Sequence, residues 1–322
     1  MHGLSVMPKH QPLMLLANHQ NALMDALLIA AYSDNAPYFL TRSDLFKNAI
    51  VRVLFNLLRM LPIYRLRDGR NNISKNKEVF DNCTRLLYLN ETVLIFPEAN
   101  HNLKRMVRPL SKGFTRILFN TLAKYPDLDI ALVPIGVNYT NASGFPDSAA
   151  FYFGTPMQLS KLYNSQELRI ATMQIRTEVS SALKLLTTHI GEEHQYDEVI
   201  AYLDRLQLDY LDPEYCNVLI NKLPDESIKK QDASNENLMY RLWDFTFELM
   251  NLPLLLIWRI VLKKKIRELE FVSTFRFLYS CVFYPVYYAV LLFFLAGVFS
   301  TISAFFAVTL LFTFNIIYVK HR

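Results

Sequence analysis

Residues 13–25 read LMLLANHQNALMD, and this stretch decides how the first half of the chain folds. Its first five residues are apolar and typical of a buried strand. A polar run follows from Asn18, and an apolar helical pattern begins at Ala22. A strand that runs directly into a helix is the repeating unit of an α/β sheet. Polar side chains at such a junction lie where these sheets bind ligands.

The same alternation of strand and helix patterns continues over residues 1–158. Predicted strands lie at residues 13–17, 37–40, 93–96, 131–137 and 151–152. Helical patterns separate them, at residues 22–31, 46–58, 76–89 and 113–123. The strands are nearly all apolar, as expected when helices cover both faces of a sheet. We therefore predict an α/β domain with a mostly parallel sheet covered by helices, at residues 1–158.

The remainder of the chain is predicted to be helical. Residues 159–240 form a helical extension, with helical patterns at 165–189 and 196–211 and a polar loop at 221–237. Residues 241–274 combine aromatic residues with a basic tail, which is typical of an amphipathic helix in the membrane interface. Within them, residues 249–262 are too short and too interrupted for a clear span, so their entry into the membrane stays open.

A membrane hairpin is predicted at residues 275–322. Residues 277–319 contain no Asp, Glu, Lys or Arg, and this run of 43 residues is about twice the ~20 that one membrane helix needs. Two helices joined near residues 297–301 fit it better than one. Lys and Arg flank the run on both sides, so the positive-inside rule places both ends, and the catalytic domain, on the cytoplasmic face. Residues 1–12 show no signal-peptide core. The predicted localisation is therefore a multi-pass membrane protein.

Composition and missing motifs exclude several other classes. The net charge of +5 is modest, and without a known binding module it indicates no nucleic-acid partner. The three cysteines Cys83, Cys216 and Cys281 are far apart and suggest neither a disulfide framework nor a metal site. We find no Gly-x-Ser-x-Gly elbow and no phosphate-binding Gly-rich loop. Residues 192–194, Glu-Glu-His, lack a second histidine at zinc spacing and are interpreted as a charged helix boundary.

His19 and Asp25 suit a general base and the carboxylate that orients it. Residues six apart lie about 120° apart around a helix and would not meet on it. We therefore place His19 in the loop, Asn21 as the N-cap and Asp25 in the first turns of the helix. If the Asp25 carboxylate accepts a hydrogen bond from one ring nitrogen of His19, the other ring nitrogen is free to accept a hydroxyl proton. A structural His–Asp pair without a catalytic role remains the alternative from these residues alone.

Two further segments supply candidate binding residues. Residues 61–67, LPIYRLR, contain Arg65, whose fork of donors suits a phosphate, and Arg67 as a weaker candidate. The alternative is a solvated arginine beside a strand. Residues 96–100, FPEAN, follow another apolar strand. Because ligands bind at the carboxyl ends of strands, Glu98 is expected to share a crevice with His19. Glu98 would hold the acceptor or brace the loop.

A basic stretch follows Glu98 without any acid between residues 99 and 121. Its positive field would attract a phosphate monoester, and we expect Arg105 or Arg108 to contact that phosphate. The alternative is a solvated basic loop near the membrane. Residues 133–137, VPIGV, are assigned to packing and to the acyl-chain entrance, because apolar residues around a proline more often shape a wall than carry chemistry.

Four of these segments, at residues 18–25, 61–67, 96–100 and 133–137, resemble the four ordered sequence blocks of the glycerolipid acyltransferases. This is the family of glycerol-3-phosphate and 1-acylglycerol-3-phosphate acyltransferases. The resemblance implies transfer of a fatty acyl group from acyl-CoA or acyl carrier protein to the hydroxyl of lysophosphatidate or glycerol 3-phosphate. It implies His19 and Asp25 as the catalytic pair and four binding residues, Arg65, Glu98, Arg105 and Arg108. The implied partners are the fatty acyl thioester, a phosphorylated glycerol or lysophospholipid acceptor, and membrane lipids. No metal or bound cofactor is implied.

The chain departs from the family pattern at three positions. Five residues separate His19 from Asp25 where the family typically has four, Ala99 replaces a glycine, and Arg59 stands where a glycine often opens the second block. The chain resembles bacterial-type members; some eukaryotic-type glycerol-phosphate acyltransferases share the longer spacing, which we interpret as a subfamily trait. Two alternatives stay open: acylation of another lysophospholipid or a non-phosphorylated acceptor, and a non-catalytic membrane lipid-binding protein.

Overall fold

The computed structural model describes residues 1–33, 36–64, 74–191, 195–222 and 238–321. Arg65 and Arg67 lie outside the described residues. So do residues 192–194, the predicted charged helix boundary, and residues 223–237, which make up most of the predicted polar loop.

The N-terminal half forms one seven-stranded sheet within the described ranges. Its strands are β1 (Leu13–Ala17), β2 (Tyr38–Arg42), β3 (Met60–Ile63), β4 (Thr92–Ile95), β5 (Ala131–Tyr139), β6 (Ala149–Phe153) and β7 (Met157–Gln158). The order is β3-β2-β4-β1-β5-β6, with β7 also paired to β5. The first five strands along this order are parallel, and β6 and β7 run antiparallel to β5. The predicted mostly parallel α/β sheet is thus confirmed.

Helices cover both faces of this sheet. They are α1 (Ala22–Tyr32), α2 (Ala49–Leu57), α3 (Asn76–Tyr88) and α4 (Gly113–Lys124). Met14 and Leu16 of β1 belong to one buried cluster, and Leu13 and Leu15 belong to the other. Successive side chains of a strand point to opposite faces, so both faces of β1 are buried. This double burial explains why the strands read as continuous apolar runs.

The short strand β3 was absent from the predicted strands. It contains Pro62 and lies at the edge of the sheet. Proline cannot donate to a strand ladder and is confined to such positions. Four residues with a central proline carry too weak a pattern to predict a strand.

In the described part of the predicted extension lie the α-helices α5 (Leu168–Leu186), α6 (Tyr196–Arg205) and α7 (Pro213–Lys222), the last of which was not predicted. Helix α5 ends earlier than its sequence pattern because Asn138 captures the chain that follows. The Asn138 side chain donates to Leu186 O at 2.9 Å and accepts from Thr188 N at 3.0 Å. Gly136 permits this approach, since a Cβ there would lie 2.0 Å from Leu186 O.

The C-terminal part contains a bent helical segment and a helical hairpin. Helix α8 (Leu238–Met250) is followed, after a bend of 86°, by a helical run at Leu252–Lys265 that includes a π-helical stretch, Ile257–Leu262. The run begins with the short helix α9 (Leu252–Leu256). The hairpin consists of α10 (Val272–Val298) and α11 (Thr301–His321). Both hairpin helices are long and apolar enough to cross a membrane, and their break falls where the sequence predicted it.

The boundaries of this region differ from the expected ones. Residue 241 lies inside α8, and α10 begins at Val272, three residues before the expected start of the hairpin. The bent segment and the hairpin together are one packed unit. Asn251 and Asn315 exchange two hydrogen bonds, at 2.8 and 2.9 Å, and Asn315 also donates to the Tyr288 hydroxyl at 2.9 Å. Amide pairs of this kind hold helices together where water is absent.

The base of the hairpin is docked on the α/β domain. Ser273 donates to Ala142 O at 2.6 Å, and the Arg276 guanidinium donates to the carbonyls of Ser143 and Gly144. These three carbonyls belong to the loop between β5 and β6. The membrane helices are therefore fixed beside the carboxyl end of β5.

Gly136→Ala should lower the apparent melting temperature of the protein in detergent by several degrees. The new Cβ would overlap a backbone carbonyl, and overpacking of this kind costs about 1–3 kcal/mol. Gly297→Ala is the matched control, because a Cβ at Gly297 has nothing within 4 Å. Equal melting temperatures for the Gly136 variant and the parent would contradict the close approach of α5 to β5.

Candidate active site

His19 and Asp25 meet at the junction of β1 and α1. His19 Nδ1 lies 2.8 Å from Asp25 Oδ2. The same carboxylate oxygen accepts the backbone N–H groups of Gln20 and Asn21 at 2.9 and 2.8 Å. Asn21 occupies the predicted N-cap position, but its side chain makes no capping bond. The Asp25 carboxylate instead accepts hydrogen bonds from the backbone of the loop, and this loop accommodates the five residues between His19 and Asp25.

Tyr139 completes the surroundings of Asp25 and was missed by the sequence analysis. Its hydroxyl donates to Asp25 Oδ1 at 2.6 Å, and the Asp25 side chain is fully buried. Burial raises the pKa of Tyr139 well above its usual range, and the Asp25 charge adds to this effect. The hydroxyl thus stays protonated and donates. A tyrosine that ends a buried strand just after the fourth block was the available signal.

Asn18 fastens the same junction to the neighbouring strand. Its side chain donates to Val137 O at 3.0 Å and accepts from Val137 N at 2.7 Å. This pair extends the ladder between β1 and β5 beyond the end of β1. The start of the loop that carries His19 is therefore held in place against β5.

Aromatic contacts hold the His19 ring. The ring stacks on Phe96, with centroids 4.0 Å apart, and meets the His101 ring edge to face at 5.5 Å. His19 Nε2 makes no hydrogen bond to the described residues, and the side chain is 15% exposed. The arrangement leaves one ring nitrogen open to a proton donor while Asp25 holds the other.

Glu98 and Arg108 form a buried clasp beside His19. Arg108 Nη2 donates to Glu98 Oε2, to Asn100 O and, at 3.5 Å, to His19 O. Strands β1 and β4 are neighbours, so the expected closeness of Glu98 to His19 is observed. Burial raises the pKa of Glu98, and the Arg108 charge opposes that rise. With its side chain only 2% exposed, Glu98 is placed to brace the loop rather than to hold the substrate.

Arg105, one of the expected phosphate ligands, contacts the end of β5. Its guanidinium donates to Tyr139 O at 2.8 Å and to Thr140 O at 2.7 Å, and it lies over the Tyr210 ring at 3.6 Å. Both terminal nitrogens are thus engaged by the end of β5, and burial lowers the pKa of Arg105. In this structure Arg105 positions the strand that carries Tyr139, and its expected phosphate contact stays a prediction.

Ala99 adopts the backbone conformation that favours glycine. Its φ is +68°, which costs an L-residue about 1–2 kcal/mol. The loop after Glu98 therefore keeps a left-handed residue even without the family's glycine.

The juxtamembrane segment, residues 266–271, contributes one side of the site. The His101 ring contacts Phe271 edge to face at 4.9 Å, and its Nε2 lies 3.6 Å from Glu268 Oε2. Arg42, at the carboxyl end of β2, lies 3.9 Å from the same carboxylate. Burial lowers the pKa of His101, and the adjacent His19 adds to this effect. No sequence signal indicated this contact, because it joins distant parts of the chain.

Arg108→Met should destabilise the protein strongly, because it leaves the buried Glu98 carboxylate without its partner. Breaking a buried ion pair from one side costs about 3–5 kcal/mol. The double variant Glu98→Leu/Arg108→Met should recover part of this loss, measured as the apparent melting temperature in detergent. The control is Arg116→Met, at an exposed position of α4. Additive losses in the double variant would contradict the clasp.

Known proteins are similar to the N-terminal part of this chain. Residues 1–138 match the family model described as Acyltransferase. Glycerol-3-phosphate O-acyltransferase 1 of Saccharomyces cerevisiae is 27% identical over 103 residues, which cover 30% of this chain and 14% of that protein. The uncharacterized acyltransferase C1718.04 of Schizosaccharomyces pombe is 26% identical over 113 residues, 34% of this chain and 17% of that protein. The alignments thus span less than one fifth of either relative.

A solved structure is also similar to the chain. It is the 1-acyl-sn-glycerophosphate (LPA) acyltransferase PlsC from Thermotoga maritima, with a TM-score of 0.39 and 19% identity, covering 57% of this chain and 70% of that one. The match to the family model over residues 1–138 covers β1 to β4, all but the last residue of β5, and the His19–Asp25 junction. The N-terminal part of the chain thus matches the Acyltransferase family model and is similar to these two acyltransferases.

Proposed function

We propose that this protein is a membrane-bound acyltransferase. It moves a fatty acyl group from acyl-CoA or acyl carrier protein to the hydroxyl of glycerol 3-phosphate or lysophosphatidate. The observation that carries the proposal is the His19–Asp25 pair, 2.8 Å apart, with the second imidazole nitrogen unengaged by the described residues. A base oriented in this way is the minimum that an attacking hydroxyl requires.

In the proposed reaction, His19 Nε2 takes the hydroxyl proton while that oxygen attacks the thioester carbonyl carbon. The tetrahedral intermediate collapses, the C–S bond breaks, and the thiolate leaving group receives the proton from His19. Asp25 holds the tautomer with the proton on Nδ1 and stabilises the imidazolium. Backbone N–H groups of the crevice loops stabilise the oxyanion. The scheme uses no metal and no bound cofactor.

Arg108 is the best-supported ligand for the acceptor phosphate. Its Nη2 is occupied by the clasp, whereas Nη1 makes no hydrogen bond to the described residues. The side chain is 18% exposed and lies against the His19 backbone. An arginine that offers two further N–H donors suits a phosphate oxygen pair. Arg65 stays a candidate for a second phosphate contact.

The membrane hairpin supports a site at the lipid surface. Two helices can span a membrane, and the base of the hairpin is docked beside β5. Lys263, Lys264 and Lys265 precede the hairpin, and Lys320 ends it. By the positive-inside rule we place the catalytic domain on the cytoplasmic face. The acyl donor and the acylated product would then reach the site from the bilayer.

His19→Ala should reduce acyl transfer by about 10²–10⁴-fold, because it removes the general base. Asp25→Asn should cause a large loss too, since the amide no longer orients the imidazole. The assay uses purified protein in detergent with radiolabelled acyl-CoA and either glycerol 3-phosphate or lysophosphatidate. His10→Ala, at an exposed position, is the control. No turnover with any acceptor or acyl carrier, or equal turnover by His19→Ala, would refute the proposed activity.

Arg108→Lys should raise the acceptor KM by about tenfold and leave the donor KM nearly unchanged. Lysine keeps the charge but loses the planar fork, and a hydrogen bond to a charged group contributes about 1.5–3 kcal/mol. Arg116→Lys is the matched control. An unchanged acceptor KM, or an equal rise of both KM values, would remove Arg108 from the phosphate site. Competition between the two acceptors in the same assay would identify the preferred one.

A further inference from the structure

An apolar groove of about 390 Å³ lies at the membrane base of the hairpin. Trp258 and Leu262 of the π-helical stretch line one side, and Phe275, Leu278 and Val282 of α10 line the other. Among its described lining residues, Lys265 alone is charged. The groove thus has the composition of a site for a hydrocarbon chain.

A row of ring contacts joins this groove to the candidate catalytic base. His19 contacts His101, with ring centroids 5.5 Å apart, and His101 contacts Phe271 at 4.9 Å. Phe271 in turn contacts Phe275, with centroids 6.3 Å apart, and Phe275 lines the groove. These ring contacts connect His19 to one wall of the groove, and rings suit methylene groups better than a phosphate headgroup.

The position of the groove along the chain matches the expected depth of the membrane surface. Lys265 lines the groove and follows Lys263 and Lys264 in the chain, and lysines next to a membrane helix lie at the level of the lipid headgroups. From Phe275 to Val282 the helix rises about 10 Å. The groove consequently starts near the headgroups and continues toward the hydrocarbon core.

We propose that this groove binds the fatty acyl chain of the thioester donor and selects its length. The proposal rests on the proposed acyl transfer and adds a site for the donor tail outside the α/β domain. A donor tail in the groove points its thioester end toward His19 along the row of rings. The donor tail is also the chain that the reaction requires with either acceptor.

The test fills the groove and compares donors of different length. Leu278→Trp and Val282→Trp are assayed in the full-length protein with octanoyl-CoA and with stearoyl-CoA. We expect the ratio of kcat/KM for the long donor to that for the short donor to fall about tenfold or more, as when about two methylenes lose their burial. Val290→Trp is the control, because Val290 is an exposed residue of the same helix outside the groove.

The ratio is taken within each variant, so partial misfolding lowers both rates and leaves it unchanged. An unchanged ratio in both groove variants overturns the proposal, and so does an equal fall in Val290→Trp. If the parent protein transfers neither acyl group, from CoA or from acyl carrier protein and with either acceptor, the proposed function itself fails. If the parent transfers both and the ratios do not move, the groove alone is refuted.

A second measurement on the parent protein does not depend on variants. Stearoyl-CoA with a diazirine in its acyl chain is photolysed with the full-length protein in phosphatidylcholine nanodiscs. Label is expected in peptides covering residues 257–283, and excess stearoyl-CoA should suppress it. Label confined to the α/β domain, or label that excess stearoyl-CoA fails to reduce, contradicts donor binding and indicates ordinary lipid contact.

Discussion

The buried Asp25 carboxylate is the constraint on which the rest of the site depends. A carboxylate without access to water is costly unless hydrogen bonds surround it, and Asp25 has the His19 ring, two backbone N–H groups and the Tyr139 hydroxyl. The backbone donors set the shape of the loop, and the imidazole is aimed as a consequence. The tyrosine ties this loop to β5, whose end Arg105 holds.

The clasp between Glu98 and Arg108 builds a second layer around His19. Because Arg108 also contacts the His19 carbonyl, the loop after β4 and the loop after β1 are held as one body. Such a buried pair is weak support for stability but costly to break. Arg108, a member of the basic stretch, therefore shapes the crevice. The positive charge of the other basic residues in that stretch is left for the proposed anionic substrate.

The membrane helices are a structural part of the site. The hairpin base binds the loop after β5, and Phe271 and Glu268 contact His101 next to His19. The proposed transfer of long acyl chains would gain from this arrangement, since the reactants need not cross water. The two asparagines that hold the bent segment against the hairpin keep the groove walls in place.

Local pattern alone determined the apolar strands, the loop position of His19 and the break in the hairpin, because each depends on neighbouring residues. Burial on both faces makes a strand uniformly apolar, and helix geometry forbids a His–Asp contact at a spacing of six within a helix. Tertiary structure decided the rest. Tyr139 reaches Asp25 only because β5 pairs with β1, Arg105 turns to backbone carbonyls because that strand ends beside it, and Phe271 meets His101 only once the hairpin docks. Such contacts join residues that are distant in the chain, and sequence spacing carries no information about them.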